Sequence, residues 1–493
     1  MMICNSMTAL VRCFFVTLCF LQTTTAAERP NIVFILADDL GWADLPMYGN
    51  RFNEAPNLQR MANEGMLFTD AYAAAPVCSP TRASIQSGQY PARIGITDFI
   101  PGHWRPYEKV RVPINRTQYL PSEITTVAEA LKGAGYATGY FGKWHLGENI
   151  KGSHPLDQGY DEANVGQGYF KTAFKPPRPQ DDDKIISARL SIFAREFIHK
   201  HKEKPFFLFI SHWDVHCALD AEKPMVEKFL AKPKVPGYPC NAFYAACIAH
   251  LDQSVGEILE ALHIEGLEEK TMVVFFSDNG GSISENKYPG VAEEKYPMVS
   301  PRLDIYQDGN PLKYIMTSNL PLRNEKGSIY EGGIRDPLIV RYPGKIKPGT
   351  ISKEVITSVD FYPTFLATAQ ATPPAGQTLD GLSFLPVLTG QAPLSKRAIF
   401  WHYPVYHHDV PAAAIRKGPW KLIENLENST TLLYNLETEM GESTDLSKVY
   451  PQIHSALYAE LKQWQKSVDA KLPVPNPDFN ESRRLEWGKN PGR

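Results

Sequence analysis

Short, nearly continuous apolar runs that end abruptly in polar residues mark the first half of the chain. Residues 31–37 (Asn-Ile-Val-Phe-Ile-Leu-Ala) lead straight into Asp38-Asp39. Residues 136–141 lead into Gly142-Lys143-Trp144-His145, residues 206–210 into Ser211-His212, and residues 272–276 into Ser277-Asp278-Asn279-Gly280-Gly281. Runs of this length without alternation predict strands covered on both faces, as in a parallel sheet. Between them the apolar period lengthens to that of a helix. Residues 126–133 form one such stretch, with its start expected at Pro121-Ser122. Residues 243–262 form another, with Ala246, Ile248, Leu251, Val255, Ile258 and Leu262 on one face. Strands alternating with helices predict an α/β sandwich, and polar residues at strand C-termini lie where open sheets of this class place their sites.

The pattern changes near residue 370. Pro373-Pro374-Ala375-Gly376 reads as a linker, and four short segments at 398–401, 413–416, 420–423 and 431–434 predict a small antiparallel sheet. A last helix is expected over 450–468, and the Pro-rich tail from Pro473 as an extended strap. At 493 residues the chain is too long for one simple core. We therefore expect a signal peptide at 1–27, a catalytic domain at 28–372 and a C-terminal subdomain at 373–493. The signal reading rests on the apolar residues 9–21, interrupted by Arg12, followed by the small-residue site Thr25-Ala26-Ala27. That run is short for a membrane anchor. It implies the secretory route: periplasm or exterior in a bacterium, lysosome or exterior in an animal, with no membrane span in the mature chain.

A formal net charge of -3 gives no indication of a nucleic-acid or membrane-surface partner. Of seven cysteines, Cys4, Cys13 and Cys19 fall in the signal segment, leaving Cys78, Cys217, Cys240 and Cys247. Four cysteines do not make a disulfide scaffold, and the pairing among the last three is open.

Four constellations carry chemistry. Cys78-Ser79-Pro80-Thr81-Arg82 places a thiol four residues before an arginine at an expected helix start, where a thiolate would gain from both. Asp38-Asp39 and Asp278-Asn279 supply hard oxygens, which favour Ca²⁺ or Mg²⁺ over zinc. Lys143 and His145, two apart in a Gly-rich strand exit, suit anion contact with proton transfer. His216 and Lys326 follow, the latter within Arg323-Asn324-Glu325-Lys326-Gly327-Ser328.

The pattern Cys-x-Pro-x-Arg followed by Ser87-Gly88 resembles the signature of the type I, formylglycine-dependent sulfatases of the alkaline phosphatase superfamily. The segment 135–145 resembles their second signature, departing at Phe141, where the family carries a smaller side chain. Around His216, Val215 and Ala218 replace the family's prolines, and Asn324-Glu325 is bulkier than the usual pair before the lysine. The likeness runs from about residue 29 to about residue 448. It implies an alkaline-phosphatase-like α/β/α sandwich with a large mixed sheet, and a smaller C-terminal α+β subdomain with an antiparallel sheet. It also implies that a formylglycine-generating enzyme oxidises Cys78, and that one Ca²⁺, ahead of Mg²⁺, is held by Asp38, Asp39, Cys78 as modified, Asp278 and Asn279. Arg82 would then orient the hydrated aldehyde, and Lys143 and Lys326 would hold the sulfuryl oxygens. His216, with Lys326 reaching the same leaving oxygen, would protonate the departing alcohol, and His145 would take a proton from the second hydroxyl. A sulfated carbohydrate is the expected substrate. Two segments offer a recognition wall: residues 282–318, with Tyr288, Tyr296, Arg302, Tyr306 and Lys313, and residues 401–409, with Trp401, His402, Tyr403, Tyr406, His407 and His408. The alternatives are a broad arylsulfatase, or a phosphonate or phosphate ester hydrolase of the same superfamily. An unmodified Cys78 would leave a binder of sulfated glycans.

Overall fold

The apolar run at Asn31–Ala37 forms the central strand of the main sheet and is buried along its whole length. The fold was analysed in a computed structural model that describes residues 29–283 and 315–491, apart from positions 103, 180 and 182. The signal segment, and Tyr288, Tyr296, Arg302, Tyr306 and Lys313 of the expected wall, lie outside the described residues. In chain order the strands are β1 (Asn31–Ala37), β2 (Met66–Tyr72), β3 (Val110–Arg111), β4 (Ala137–Gly142) and β5 (Glu162–Val165). They continue as β6 (Phe206–Ser211), β7 (Thr271–Ser277), β8 (Arg335–Arg341), β9 (Thr350–Ser352) and β10 (Ile356–Thr357). The sheet order is β10-β2-β8-β7-β1-β6-β4-β5, with β9 also on β2. β1 runs parallel to β6 and β7, while β8 is antiparallel to β7 and β2, which makes the sheet mixed.

Alternate side chains of β1 enter two separate cores, as the period of a strand requires. Val33, Ile35 and Ala37 pack with helices Ile186–His201 and Ala242–Ile264, whereas Ile32, Phe34 and Leu36 pack with Phe361 and Phe365 of helix Phe361–Ala369. Helices thus cover both faces, the α/β/α sandwich expected from sequence. The helix expected at 126–133 is present as Val127–Gly133, but its cap is Thr126 instead of Pro121-Ser122. The Thr126 hydroxyl accepts from Glu129 N at 3.1 Å and the Glu129 carboxylate accepts from Thr126 N at 2.7 Å. This reciprocal pair satisfies two donors that no residue five positions upstream would reach.

Strands β11 (Ala398–Tyr403), β12 (Ala412–Lys417), β13 (Trp420–Asn425) and β14 (Thr431–Asn435) form an antiparallel meander. Helix Pro451–Ser467 covers one face through Leu457, Leu461 and Trp464. The other face packs Trp401, Tyr403 and Tyr434 against Tyr72, Val77 and Ile329 of the larger part. Most of the aromatic wall expected at 401–409 is therefore interior. Trp401 Nε1 donates to Ala73 O at 2.8 Å, His402 is buried against Lys471 O, and Tyr406 bonds Glu427. A strand places every second residue inward, which explains why these side chains fill a core.

The tail behaves as a strap. Strand β15 (Val474–Pro475) pairs antiparallel with β3. Asn476 Nδ2 donates to the carbonyls of Pro106 and Glu108, and Asn490 Nδ2 to that of Pro101. The four described cysteines are free thiols. No helix among the described residues is long and apolar enough to cross a membrane.

A buried ion cluster joins the two sheets. Lys421 of β13 lies 2.8 Å from both Glu331 and Glu442, with all three side chains sealed from solvent. Burial raises both carboxyls, but Lys421 with Arg335 and Arg416 holds Glu331 down to about 2. Burial, and the charge of Glu331 facing the same lysine, push Glu442 up to about 7. A carboxyl raised on folding gives stability that is complete below its unfolded value near 4.5 and is lost as pH climbs through 7. Glu442→Gln should therefore match the wild type in melting temperature at pH 5 and exceed it by a few degrees (about 1–3 °C) at pH 8. Equal differences at both pH values would contradict this assignment.

Candidate active site

The polar residues at the ends of β1, β4, β6 and β7 converge because these strands are adjacent and parallel. Asp38 and Asp39 follow β1, and Asp278 and Asn279 follow β7 in register, Ala37 pairing with Ser277. The loop after β6 grips Asp38 from the other side: Asp38 N donates to Asp214 O at 2.9 Å and Val215 N to Asp38 O at 2.6 Å. Gly142 ends β4 with φ of 114°, where a Cβ would lie 1.8 Å from Ser211 O, so only glycine lets Lys143 turn in at this point. Helix Cys78–Ser87 presents Cys78 from its first turn and Arg82 one turn on.

The resulting cluster is dense and almost solvent-free. Lys143 Nζ lies 2.5 Å from Asp38 Oδ2 and 3.4 Å from Cys78 Sγ, which is itself 3.4 Å from Asp38 Oδ1. Arg82 donates from Nε to Asp278 Oδ2 at 2.8 Å and from Nη1 to Lys143 O and Ser211 Oγ, and its Nη2 lies 2.8 Å from the same Asp278 oxygen as an ion pair. Lys326 Nζ reaches Asp39 Oδ2 at 2.7 Å, and His216 Nε2 lies 3.7 Å from the same oxygen. Every sequence-predicted site residue, Asn279 and His145 included, is thus brought to one place. Asp38, Cys78, Asp39 and His216 offer ligand atoms within 4.8 Å of one another. His216 is an addition to the acidic set that sequence spacing did not suggest.

Asp38, Asp39 and Asp278 oppose Arg82, Lys143 and Lys326, so six buried charges cancel. Burial would raise Asp39, but Lys326, His216 and Lys143 hold it well below its ordinary value. Burial and the charge of Asp38 push Asp278 up to about 6. The Cys78 thiol goes the opposite way from the sequence expectation. Burial, then the charges of Asp278 and Asp38, raise it far above an ordinary thiol, so it stays protonated despite Lys143 and the helix start. The carboxylates were invisible to a reading confined to the helix.

Two histidines are set in different tautomers by backbone carbonyls. His145 Nε2 lies 2.6 Å from Ile100 O, an acceptor only, so Nε2 carries the proton and Nδ1 is a bare lone pair; Nδ1 is buried and has no hydrogen-bond partner among the described residues. Burial, then the charges of Lys143 and Arg82, keep its pKa well below the ordinary value, and so keep it neutral. His216 Nδ1 lies 2.6 Å from Cys217 O, so its site-facing nitrogen is Nε2. Asp39 and His145 both take positive φ, 62° and 59°, a strain expected where side chains are aimed for a task. Ser79 Oγ donates to His145 O and accepts from Ile100 N, tying the strapped loop to the start of the helix.

Sequence reading marks Ser211 as a strand end but assigns no role to it, to Ser79 or to Trp213. Ser211 and Trp213 follow a buried strand as the other site residues do, a signal that could have found them. Polar residues of the 164–169 segment have structural duties: Asn164 Nδ2 donates to Pro176 O, Asn164 Oδ1 accepts from Arg178 Nε, and Tyr169 OH donates to His216 O at 2.8 Å. His407 packs on Gly327, and His408 lies 3.6 Å from Glu325, beside Lys326.

The donor set fits a hard divalent cation. Three carboxylates and the Asn279 amide are gathered with no water-facing surface, and Asn279 Oδ1 is buried without a partner among the described residues. An oxygen left unpaired in such a place is costly unless a ligand takes it.

Comparison with known proteins places this geometry in context. The Sulfatase family model matches residues 30–371, and the N-sulphoglucosamine sulphohydrolase C-terminal model matches residues 324–467. The chain is 32% identical to human N-acetylgalactosamine-6-sulfatase, covering 92% of this chain and 88% of that one. It is 30% identical to a sulfatase of Formosa agariphila, covering 92% and 93%. Among solved structures, Ps i-CgsB in complex with k-i-k-neocarrahexaose superposes with a TM-score of 0.73 at 26% identity, covering 92% of this chain and 95% of that one.

A cation seated here should stabilise the fold. Protein stripped with EGTA should melt lower than protein in Ca²⁺, with a difference of about 2–3 kcal/mol at a hundredfold excess over the dissociation constant. Asp278→Asn should weaken the response at least about tenfold in Ca²⁺ concentration. A melting temperature indifferent to both Ca²⁺ and Mg²⁺ would rule the site out.

Proposed function

The chain belongs to the sulfatase family, hydrolases of sulfuric esters, and from this premise we propose that it releases inorganic sulfate from sulfated carbohydrate, through Cys78 oxidised to formylglycine and a Ca²⁺ held by Asp38, Asp39, Asp278 and Asn279. One observation carries the reading: six cancelling buried charges surround Cys78, and a divalent cation added to them leaves a net positive site that suits an ester anion. The carbohydrate part is supported by the relatives, which include an N-acetylgalactosamine-6-sulfatase and a structure held with neocarrahexaose. Export is part of the proposal, from the signal-like segment at 1–27.

Oxidation of Cys78 would supply a nucleophilic oxygen in place of sulfur and a second hydroxyl whose deprotonation frees the product. The cation, when bound, would polarise a sulfuryl oxygen. The chain's own groups do the rest. Arg82, its fork fixed by Asp278, Ser211 and the Lys143 carbonyl, keeps a full positive charge beside residue 78. Lys143 and Lys326 stand on either side of the acidic pair, at Asp38 and Asp39, placed to donate to sulfuryl oxygens as charge builds on them. Burial, then the charge of Lys326, keep the His216 pKa well below the ordinary value, so with Nδ1–H committed to a carbonyl its Nε2 is bare until a bound ester anion favours the imidazolium, and only from Nε2 can it then give a proton to the departing alkoxide. His145, neutral with Nδ1 bare, accepts the proton from the residue-78 hydroxyl. The balance is ester plus water giving alcohol, sulfate and one proton.

The test is free sulfate, by ion chromatography, from N-acetylgalactosamine 6-sulfate, neocarrahexaose carrying sulfate and 4-nitrophenyl sulfate, with 4-nitrophenyl phosphate as the rival ester. The protein is made in a host that oxidises Cys78, and the peptide bearing residue 78 is weighed by mass spectrometry. We expect sulfate from a sugar ester, reduced at least about 10³-fold in Cys78→Ala. No sulfate from converted protein, or faster turnover of the phosphate ester, would defeat the proposal.

A further inference from the structure

Trp213 packs against two groups that would act at opposite ends of the scissile bond. It follows β6 by two residues, and its ring packs partly into the main core. Lys143 Nζ lies over the indole, 4.8 Å from the ring centroid. The imidazole of His216 lies 4.3 Å from the same ring, at 44° to its plane, and His216 N donates to Trp213 O at 2.8 Å. The other restraints on His216 act on its edge or its backbone: the Cys217 carbonyl takes Nδ1–H and Tyr169 OH takes the His216 carbonyl. With Val215 and Ala218 in a loop that the family stiffens with prolines, the face of the imidazole rests on the indole. The Trp213 Nε1–H is buried and has no acceptor among the described residues. Among the described residues the ring works through its contacts with Lys143 and His216 and not through its N–H.

We propose that Trp213 is a positioning residue for the sulfatase reaction. Its indole aims His216 Nε2 at the leaving oxygen, while Lys143, over the same ring, is already fixed by Asp38 at 2.5 Å. The inference rests on the reading above that His216 protonates that oxygen. It makes a specific demand. A group that acts by aiming an acid matters in proportion to how much the leaving group needs a proton, and 4-nitrophenolate needs little while 4-methoxyphenolate and sugar alkoxides need much.

The experiment measures kcat and KM of Ca²⁺-loaded, Cys78-converted protein on 4-nitrophenyl sulfate, 4-methoxyphenyl sulfate and the sugar ester turned over in the panel above. The variants are Trp213→Leu, Trp213→Met, Trp213→Phe and His216→Asn. Trp213→Met, whose flexible side chain can fill part of the vacated space without a ring, decides the matter if the leucine variant does not fold. We expect the ringless variants to lose about 30-fold in kcat on the methoxyphenyl and sugar esters and less than about 3-fold on the nitrophenyl ester. Trp213→Phe, which keeps a face and sheds the orphaned donor, should stay within about 3-fold of wild type on all three. Equal losses on good and poor leaving groups in the ringless variants would overturn the proposal if His216→Asn is selective. So would a Trp213→Phe variant as impaired as Trp213→Met. Equal losses in His216→Asn itself would show that His216 is not the acid, and the role of Trp213 would fall with it.

Discussion

The structure turns on charge compensation in a place without water. Three carboxylates and three cations are packed at the end of a parallel sheet, where each ion would be very costly alone. The arrangement holds only if every partner arrives, and the partners come from across the chain: Asp38 and Asp39 from β1, Lys143 from β4, Asp278 from β7, Arg82 from a helix and Lys326 from the segment before β8. Removing one leaves its opposite number buried and unpaired, which couples the integrity of the site to that of the sheet. The same compensation explains the protonated Cys78 thiol, whose negative charge would be a seventh in a set already balanced.

Much of this was legible in the sequence. A buried strand must stop at a polar residue somewhere, and here the stops at Asp38, Lys143, Ser211 and Asp278 carry the chemistry, so the strand pattern and the site were read together. The antiparallel sheet and final helix were equally clear, because the turns between short alternating segments mark themselves. What escaped was whatever depended on contacts between distant segments. The Thr126 cap needed the helix start to be placed within one turn. The aromatics at 401–406 looked like a binding wall because composition does not say which face of an edge segment is inward. Trp213 was passed over as a neighbour of His216, since only the folded loop brings its ring against Lys143.

The smaller sheet is more than an appendage. Its inner face packs on Val77 and Ile329, next to Cys78 and Lys326, and its buried Lys421 is shared by Glu331 of the larger part and Glu442 of its own. Its histidine-bearing turn touches Gly327 and Glu325. The two parts therefore share one core and one ion cluster, and the position of Lys326 is set from both sides.

The strap has a consequence in time. Cys78 is 2% exposed, Ile100 N donates to Ser79 Oγ beside it, and the chain that follows is fastened at Pro101, Pro106 and β3 by Asn490, Asn476 and β15. A ribosome makes Cys78 early and the fastening residues near the end. Between those moments the cysteine segment has left the ribosome and the clasp above it does not yet exist. Under the proposed oxidation, an enzyme would meet Cys78 uncovered only before the chain closes, so the rate of docking would set how many molecules close with an altered residue and how many close with a thiol.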